Sequence, residues 1–495
     1  MVMEVKKSKL QYPILSGLTS IHLTPDGAWL STKEQVEIDR SVIGADGLIE
    51  RLIAFYPTVP VNQSARDFLL LCDGTKCYGE IIEILGNQHQ VSIEKVIECI
   101  EPFYTKSMEK KHIGVINPPH KHEVLITGHT DIFFPVHMQF DLTDECNMFC
   151  NYCYRSAKYL DYTPTTQSIP FTKPFEEVEA MFEKCIANGV RAVELSGGEP
   201  MMSLHFKDIL RLLAKHGILV TVKTNGTFID DEMADFLAKC GNVMLSVSLD
   251  GHNEKTNSLI TRCIGGFQRT IHGLKALAER KVVFRVAATV CNENIDHMEE
   301  LLLLAKDIGA VQFGFSMPMT FGLQKIAKRR DKELAQSLRS RFNRTWNQLV
   351  EKYGDFIAAF NNSTWNYHRE IGNCGVGHRS FGVDPHGNIR VCTANTGKWS
   401  QIGNIYTDSY EEIFENPIVA IFRNLQAPTF DICGQCPQLV NCRNCVMRGI
   451  KVYQDMKEAG KSCQWANAFN IDEVLGDIDK GENSSPICAK IVARG

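Results

Sequence analysis

The sequence predicts an α/β protein whose centre is a parallel β-sheet. Between residue 131 and about residue 345, apolar strands and amphipathic helices alternate six times. Regular βα alternation is typical of parallel sheets, in which functional groups gather at the carboxyl ends of the strands. Two cysteine-rich stretches, one directly after the first of these strands and one beyond Asn361, indicate metal ligation.

The composition is that of a globular chain of 495 residues, long enough for two to four domains. A net charge of −5 disfavours a general nucleic-acid binder, and no apolar run approaches the ~18 residues of a membrane span. We therefore expect neither a nucleic-acid nor a membrane partner. The N-terminus lacks an apolar signal core, which predicts a cytoplasmic location. Thiols stay reduced there, so eighteen cysteines favour metal ligation over disulfides.

Residues 1–105 are predicted to form a first domain of mixed α and β structure. Alternation in residues 18–23 and 29–30 predicts two strands around a turn at 24–27. Helices are expected over residues 62–72, 75–85 and 92–103, with Asn62 or Ser64 capping the first and Thr75 the second. Residues 32–60 fit neither pattern and suggest an insertion.

Residues 106–130 are predicted to be a linker. They contain the run Asn117-Pro-Pro-His-Lys-His122 and show no sustained periodicity. The segment includes His112, His120 and His122, but a charged, proline-containing connector explains them better than a metal site.

The predicted core, residues 131–345, begins with a strand over 136–142. The alternating elements that follow are helix 175–188, strand 191–196, helix 205–216, strand 218–224, helix 230–240, strand 243–249, helix 267–280, strand 282–290, helix 297–308 and strand 311–317. The basic stretch 325–344 is predicted to be a solvated helix face, with contact to an acidic leader peptide or a reductase as the alternative.

Three cysteines, Cys146, Cys150 and Cys153, follow the first core strand at the spacing C-x3-C-x2-C. Thiolates so close in sequence can bind a single metal ion or one small metal cluster. Zinc usually takes four protein ligands, with its cysteines in two separated pairs. A 4Fe–4S cluster on three cysteines leaves one iron open to a small ligand, which suits chemistry. The spacing favours such a cluster over three buried, inert thiols.

With Tyr152 in the aromatic position, this segment resembles the radical S-adenosylmethionine (SAM) superfamily, whose signature is C-x3-C-x-aromatic-C. The resemblance implies a partial (β/α)6 barrel with a lateral opening wide enough for a peptide. It also implies that the open iron binds the amino and carboxylate groups of SAM. Reduction then cleaves SAM to methionine and a 5′-deoxyadenosyl radical.

Gly197, Gly198, Glu199 and Pro200 directly follow the second core strand. Glycines let backbone approach a ligand closely, and a carboxylate can accept a hydrogen bond from an ammonium group. The resemblance implies that this segment holds the amino group of SAM.

Polar residues also end the next strands. Thr224 and Asn225 end the third strand and match a short family segment, while Ser248 and Asp250 end the fourth and suit ribose hydroxyls. Arg285, on the fifth strand, is a candidate partner for the SAM carboxylate. Stabilisation of turns, or local ion pairs, would explain the residues at these three sites equally well.

Beyond Asn361, Cys374 and Cys392 flank a hairpin whose predicted turn is 384–388. The pattern continues with Cys433, Cys436, Cys442, Cys445 and Cys463. The pattern resembles the SPASM extension of radical SAM enzymes, although the usual C-x3-C pair is here Cys442-x2-Cys445. The resemblance implies two auxiliary 4Fe–4S clusters in a domain over residues 346–495. One would use Cys433, Cys436, Cys442 and Cys463, and the other Cys374, Cys392 and Cys445. Zinc knuckles are the alternative.

Seven cysteines cannot complete two clusters of four ligands. One auxiliary cluster is therefore expected to keep an open iron, which a substrate thiolate can bind, or to use a further ligand. The candidates for that ligand are His378, Asp384, His386 and Cys488.

In the first domain, the segment helix–Asp73-Gly74-Thr75–helix resembles the recognition element of RiPP enzymes, which act on ribosomally synthesised, post-translationally modified peptides. The resemblance implies a winged-helix-like α+β unit that binds a precursor's leader as an added strand. A stabilising appendage without a ligand is the alternative.

Together these resemblances imply a radical SAM peptide maturase of the sactipeptide or ranthipeptide kind. It would use SAM, three 4Fe–4S clusters and a flavodoxin- or ferredoxin-type electron donor to form thioethers in a precursor peptide. One alternative is a carbon–carbon or carbon–oxygen crosslink, or oxidation of a protein Cys or Ser as in sulfatase maturases. Another is a non-catalytic, metal-stapled peptide-binding protein. No catalytic acid or base is assigned.

Overall fold

The computed structural model describes residues 11–15, 19–32, 59–153, 173–317, 331–354, 356–357, 376–377, 380–393 and 400–480. Cys374, His378, Cys488 and most of the expected insertion lie outside these ranges. The described residues form two compact units. The first contains those up to Phe134 together with Ala187–Gly189, and the second contains the others from Pro135 onward.

The first unit combines short strands with three helices. Its elements are β1 (Tyr12–Leu15), β2 (Thr19–Thr24), β3 (Gly27–Thr32), β4 (Val59–Asn62), α1 (Gln63–Leu71), α2 (Tyr78–His89), α3 (Ile93–Glu109), β5 (Ile113–Ile116) and β6 (Leu125–Gly128). One sheet has the order β4-β3-β2-β6, and β1 pairs separately with β5. The predicted hairpin is confirmed, with Thr24 opposite Gly27.

The predicted helices of this unit form, and their apolar faces make its core. The Asn62 side chain caps α1 by accepting from the Ala65 N–H at 3.0 Å. Thr75 does not cap α2, because its hydroxyl and N–H both bind the Asp73 carboxylate. The helix begins after Cys77 instead. Ile81 and Ile82 are completely buried, and each such side chain contributes about 1.5–3 kcal/mol.

The structure corrects the prediction that residues 106–130 form a linker. This segment contains β5, which pairs antiparallel with β1, and β6, which pairs parallel with β2. Both strands are only four residues long, and backbone hydrogen bonds hold each of them in its sheet. Such short strands need no side-chain periodicity, which is why the sequence pattern did not reveal them.

The second unit begins with the βα repeats of the predicted core. These are β7 (His137–Asp141), α4 (Phe175–Ala187), β8 (Ala192–Ser196), α5 (Phe206–Lys215), β9 (Leu219–Thr224), α6 (Asp231–Cys240), β10 (Val243–Ser248), α7 (Glu254–Thr261), α8 (Gly266–Glu279), β11 (Phe284–Thr289), α9 (Met298–Ile308) and β12 (Gln312–Ser316). Every predicted strand and helix of the core is present within a few residues. The helix α7 and two 3₁₀ turns, Pro200–Met202 and Ile295–His297, were not predicted.

The remaining elements continue this unit. They are α10 (Asp331–Tyr353), β13 (Ser380–Val383), β14 (Asn388–Arg390), β15 (Gln401–Asn404), α11 (Tyr410–Phe414), α12 (Pro417–Asn424), α13 (Phe430–Cys433), α14 (Leu439–Cys442), α15 (Val446–Glu458), α16 (Gln464–Ala468) and α17 (Ile471–Lys480). The basic stretch within α10 is partly engaged, since Arg341 forms an ion pair with Asp296.

One sheet of nine strands runs through the second unit, in the order β12-β11-β10-β9-β8-β7-β13-β14-β15. The six core strands are parallel, and β13 joins them parallel to β7. The hairpin of β13 and β14 was predicted, but its place beside β7 was not. The C-terminal cysteine region is therefore built onto the same sheet that carries the cysteine loop.

A buried ion pair fixes this junction. Gly382 on β13 lies between Gln139 on β7 and Arg390 on β14 in the strand register. The Arg390 side chain reaches from β14 to the end of β7, and its Nη2 lies 3.0 Å from the Asp141 carboxylate. Asp141 also accepts a hydrogen bond from the Gln139 amide at 3.1 Å. Asp141 is the last residue of β7, so this contact holds the start of the cysteine loop.

No helix in the described ranges is both long and apolar enough to cross a membrane.

We expect Arg390→Met to destabilise the second unit by about 3–5 kcal/mol, because it leaves the Asp141 carboxylate buried without its cation. The double variant Arg390→Met with Asp141→Asn removes both charges and should recover most of that loss. Chemical denaturation followed by tryptophan fluorescence measures both effects. Equal stability of the single and double variants would contradict the assignment.

Candidate active site

The cysteine loop is held by backbone contact with the segment that follows β8. The Gly198 N–H donates to the Thr143 carbonyl and the Glu199 N–H to the Glu145 carbonyl, both at 2.7 Å. A Cβ on Gly198 would lie 2.0 Å from the Glu145 carbonyl oxygen. Gly197 has φ +138°, where other residues are strained. The glycines were expected to make room for SAM, and here they make room for the cysteine loop itself.

The Glu199 carboxylate is completely buried and engaged by its own chain. It accepts from the Thr224 hydroxyl at 2.7 Å, the Asn225 N–H at 2.8 Å and the Met201 N–H at 3.1 Å. Burial raises the pKa of this carboxyl to about 7, and the three hydrogen bonds oppose that rise. Glu199 therefore joins the end of β8 to the end of β9. Its contact with the SAM amino group stays a prediction, as does the role of Pro200, which begins the 3₁₀ turn.

Tyr152 ties the far end of the loop to two other strands. Its hydroxyl donates to the Asp250 carboxylate at 2.6 Å, and the Thr289 N–H donates to the other oxygen of that carboxylate at 2.7 Å. Burial raises the pKa of Asp250 to about 6. Both Asp250 oxygens thus accept hydrogen bonds within the chain, and contact with the ribose of SAM stays a prediction. No local pattern in the sequence predicted the link between Tyr152 and Asp250.

Asn225 borders the first cysteine of the loop. Its side-chain amide donates to the Asn147 side-chain oxygen at 2.8 Å and lies 3.9 Å from the Cys146 Sγ. Its own side-chain oxygen accepts from the Thr227 hydroxyl at 2.7 Å. Asn147 in turn donates to Thr227 at 2.8 Å, which closes a small polar ring beside Cys146.

The three loop thiols are neighbours in a partly buried setting. Burial raises the pKa of Cys146 to about 11, and the nearby Glu199 and Cys153 add to the rise. Burial also raises the pKa of Cys150, with further contributions from Asp250, Cys153 and Cys146. Clustered thiolates at such a place need a compensating positive group. The donor set therefore fits an iron–sulfur cluster, in which iron supplies that charge.

A polar face of the sheet lies beneath this loop. Phe140 packs against Phe182 of α4, so the alternate residues of the core strands point away from the helices, toward the barrel interior. On that face Lys223 pairs with Glu194 at 2.5 Å, and the Arg285 Nε donates to Ser246 at 3.0 Å.

Two predicted SAM contacts lie at or near this face. Ser248 is exposed at the end of β10, and among the described residues its hydroxyl has no hydrogen-bond partner. Arg285 is a half-buried residue on β11, and burial lowers the pKa of its guanidinium. The expected contacts of both residues with SAM stay predictions.

Four C-terminal cysteines come together as expected. Burial raises the pKa of Cys442 to about 12, and Cys433, Cys463 and Cys436 contribute to the rise. The short helices α13 and α14 each end at a cysteine, Cys433 and Cys442. The fully buried Trp465, two residues after Cys463, fixes this region by donating to the Gln426 carbonyl at 2.9 Å.

Of the second predicted ligand set, Cys374, Cys392 and Cys445, the structure describes only the last two. Cys445 stands at the N-terminus of α15, and Cys392 follows β14 by two residues. Asp384, a candidate further ligand, uses its carboxylate to accept from the Asn388 N–H and the His386 N–H, both at 2.9 Å. In the described ranges, no three His, Cys, Asp or Glu side chains form a cage for a single metal ion. The ligand roles of both sets stay predictions.

Comparison with known proteins agrees with this geometry. The radical SAM superfamily matches residues 141–305, and the iron–sulfur cluster-binding domain SPASM matches residues 374–437. The antilisterial bacteriocin subtilosin biosynthesis protein AlbA of Bacillus subtilis is 24% identical over 94% of this chain and 98% of its own length. The AdoMet-dependent heme synthase of Methanosarcina barkeri is 27% identical over 65% of this chain and 94% of its own.

A solved structure shares the fold. The crystal structure of Streptococcus suis SuiB bound to precursor peptide SuiA superposes with a TM-score of 0.58 at 17% sequence identity. The match covers 89% of this chain and 97% of the SuiB chain.

The chain is therefore a radical SAM enzyme with a C-terminal SPASM domain, and its cofactors are SAM and 4Fe–4S clusters. More particularly, it is homologous over nearly its whole length to the subtilosin biosynthesis protein. The predicted fold class and the predicted cofactor classes are confirmed.

Glu199 should make the stability of the protein depend on pH. Its carboxyl pKa is about 7 in the folded protein and near 4.5 in an unfolded chain, so the folded state holds the proton more tightly. Ionisation thus costs stability, on the order of 3 kcal/mol in total, as the pH rises from about 4.5 to 7. The denaturation midpoint of the iron-free protein should fall across this range. Asp250 contributes in the same direction.

Glu199→Gln should have a shallower fall of the denaturation midpoint, because the variant loses the contribution of Glu199 while that of Asp250 remains. The comparison uses the slope against pH, so a uniform loss of stability in the variant does not affect it. Equal slopes in the two proteins would contradict the buried, weakly acidic state of Glu199.

Cys442→Ala should lose about four of the roughly twelve irons expected for three clusters. The matched control is Cys185→Ala, which removes a fully buried thiol of α4 outside every predicted ligand set. Iron and sulfide analysis of anaerobically purified protein measures both. Full iron content in Cys442→Ala, or equal loss in the control, would count against the predicted set.

Proposed function

We propose that this enzyme modifies a ribosomally made precursor peptide, in the cytoplasm, by joining a cysteine sulfur to a peptide carbon in a thioether. The observation that carries the proposal is the extent of similarity to the subtilosin biosynthesis protein. An alignment of 469 residues cannot fit into the part of the chain from residue 141 onward. It must include much of the first unit, which lies outside both family matches.

In this proposal Cys146, Cys150 and Cys153 hold the cluster that binds SAM. When bound and reduced, that cluster supplies a 5′-deoxyadenosyl radical, which takes a hydrogen atom from a peptide carbon. The protein's task is to position the reacting groups and exclude water. The contacts of Gly198 and Glu199 with the loop, and of Tyr152 with Asp250, support that task because they fix the loop at both ends.

The first unit offers a place for the leader peptide. In the described sheet, β6 is an edge strand, and its Leu125 and Ile126 are about half exposed. The other edge strand of this sheet, β4, contains Pro60, which has no N–H to donate. An open edge provides backbone donors and acceptors for an added strand, with apolar side chains for specificity. These features support leader binding at β6.

The barrel face offers a place for the modified part of the peptide. Ser248 and Lys223 supply hydrogen-bond donors at or near the carboxyl ends of their strands, and Arg285 supplies a further donor near the start of β11. Peptide carbonyls are suitable acceptors for such donors. Because the Glu194 carboxylate neutralises the charge of Lys223, the pair can orient an uncharged peptide backbone without binding an anion.

Thioether formation removes two hydrogens from the peptide, and their protons and electrons must be accounted for. One leaves as the hydrogen atom that becomes part of 5′-deoxyadenosine, and the other leaves as the proton of the cysteine thiol. One surplus electron remains when the carbon–sulfur bond forms. Cys433, Cys436, Cys442 and Cys463 would hold a cluster that could accept this electron. The set of Cys374, Cys392 and Cys445 would hold the third cluster, with one ligand position for the substrate thiolate.

The same machinery could instead form carbon–carbon or carbon–oxygen crosslinks, or oxidise a protein Cys or Ser. Similarity to the heme synthase extends over 65% of this chain, against 94% for the subtilosin biosynthesis protein. The longer similarity favours a peptide substrate that needs the first unit. It does not by itself select the bond, so the experiment must do so.

The test uses protein purified without oxygen, with SAM, dithionite and cysteine-containing precursor peptides. We expect 5′-deoxyadenosine and a product lighter by two hydrogens per crosslink, in which the cysteine no longer reacts with N-ethylmaleimide. A product with the same mass loss and a reactive thiol would indicate a different crosslink. Cys153→Ala is the inactive control. Bound zinc in place of iron, with no SAM cleavage, would overturn the enzyme assignment.

A further inference from the structure

A surface patch of exposed apolar and cationic side chains lies beside the cysteine loop. It consists of Phe149 in the loop, Lys255 and Leu259 on α7, and Arg262, Ile264 and Arg269 after it. We call it the loop patch. The apolar members are unusually exposed for their size, with Phe149 at 52%, Leu259 at 59% and Ile264 at 90%. Contiguous apolar exposure of this kind marks interaction sites on proteins that are otherwise well packed.

Backbone contacts bring the members of the loop patch together. The Phe149 N–H donates to the Thr261 carbonyl at 3.0 Å, and the Asn151 N–H donates to the Ile260 carbonyl at 2.9 Å. The cysteine loop is therefore bonded to the last turn of α7. Leu259 lies four residues after Lys255 on α7, so helical spacing puts these two side chains on one face. Arg262 is the left-handed residue that ends this helix directly after Thr261.

The turn after α7 is also packed against the loop. A methyl group built on Gly266 would come within 3.2 Å of both the Cys263 Sγ and the Met148 Cε. Met148 precedes Phe149, and Ile264 follows Cys263. The Arg269 guanidinium donates to the same Cys263 sulfur at 3.2 Å. The turn that carries Ile264 and Arg269 thus borders the cysteine loop.

The charge of the loop patch is positive and uncompensated. Among the described residues, neither Lys255, Arg262 nor Arg269 forms an ion pair with a carboxylate. Glu254, the acid nearest in sequence, accepts from the Gly265 N–H at 2.7 Å and the Ser258 hydroxyl at 2.5 Å. Its carboxylate is directed inward to these partners. Three cations therefore surround an apolar centre on a chain whose net charge is −5.

We propose that the loop patch docks the electron donor, a small acidic protein that carries a flavin or an iron–sulfur centre. The inference rests on the proposed function, because only reductive cleavage of SAM requires this electron. One electron passes from the reduced donor to the cluster on Cys146, Cys150 and Cys153, and no atoms are exchanged. Phe149 stands between Cys146 and Cys150 in the sequence, so a partner seated on it contacts the ligand loop itself.

The position also keeps the donor away from the peptide. The polar sheet face with Lys223 and Arg285 lies on the interior of the barrel, whereas the loop patch is formed by the outer turn of α7 and the start of α8. A donor on the patch therefore leaves the interior open for substrate. Cations around an apolar centre also suit transient association, because charge steers the encounter while a small apolar contact permits rapid release.

The first experiment measures binding and does not depend on turnover. An acidic bacterial flavodoxin is titrated against reconstituted enzyme at low and moderate salt. We expect the double variant Arg262→Glu with Arg269→Glu to weaken binding by about tenfold or more and to reduce its salt dependence. Ile264→Ser should weaken binding at both salt concentrations. The matched control is Lys275→Glu, an exposed lysine of α8 that lies about 120° around the helix from Arg269.

The second experiment separates this inference from the proposed function. Formation of 5′-deoxyadenosine is followed with dithionite and, separately, with reduced flavodoxin. The double variant should match the parent enzyme with dithionite and be slower only with flavodoxin. Absence of product with dithionite in the parent enzyme would overturn the proposed function, whatever the binding result.

Three results would overturn the loop patch as the donor site. The first is equal weakening by the Lys275→Glu control and the double variant. The second is absence of flavodoxin and ferredoxin binding to the parent enzyme that cleaves SAM with dithionite. The third is that the double variant loses affinity for the precursor peptide while flavodoxin binding is unchanged, which would assign the patch to the substrate.

Discussion

The active site depends on the close approach of two backbone segments. The loop that carries Cys146, Cys150 and Cys153 is neither helix nor strand, so its position must come from its neighbours. Gly198 and Glu199 provide two short backbone hydrogen bonds at its start, and glycine is required because a Cβ would overlap the Glu145 carbonyl. Tyr152 provides the second anchor through Asp250. A loop held at both ends loses little further entropy when a cofactor binds.

The anchors connect the loop to most of the barrel. Glu199 links it to β9, Asp250 and Thr289 link it to β10 and β11, and Asp141 links it to Arg390 of β14. All of these side chains are buried or partly buried, and their carboxylates are matched by donors. The site is therefore a property of the whole sheet, and substitutions far from the cysteines can alter the geometry of the loop.

The sequence predicts those features that follow from periodicity and from short motifs. The six core strands, their helices and the turn of the β13–β14 hairpin all have local signals. The cysteine groupings follow from spacing, and Cys433, Cys436, Cys442 and Cys463 are indeed neighbours. Features that depend on long-range pairing leave no such signal. The strands β5 and β6, the place of β13 beside β7, and the bonds of Tyr152 to Asp250 and of Arg390 to Asp141 are of this kind.

The shared sheet has a consequence for dissecting this enzyme. Because β13 pairs directly with β7, removing everything after about residue 345 would expose the backbone groups along one side of β7. A newly opened edge of this sort invites pairing with other chains. A truncated barrel would therefore tend to aggregate, and its inactivity would carry no information about the missing clusters. Chimeras that exchange C-terminal portions between relatives should keep the native strands β13, β14 and β15 and join the foreign sequence after Asn404.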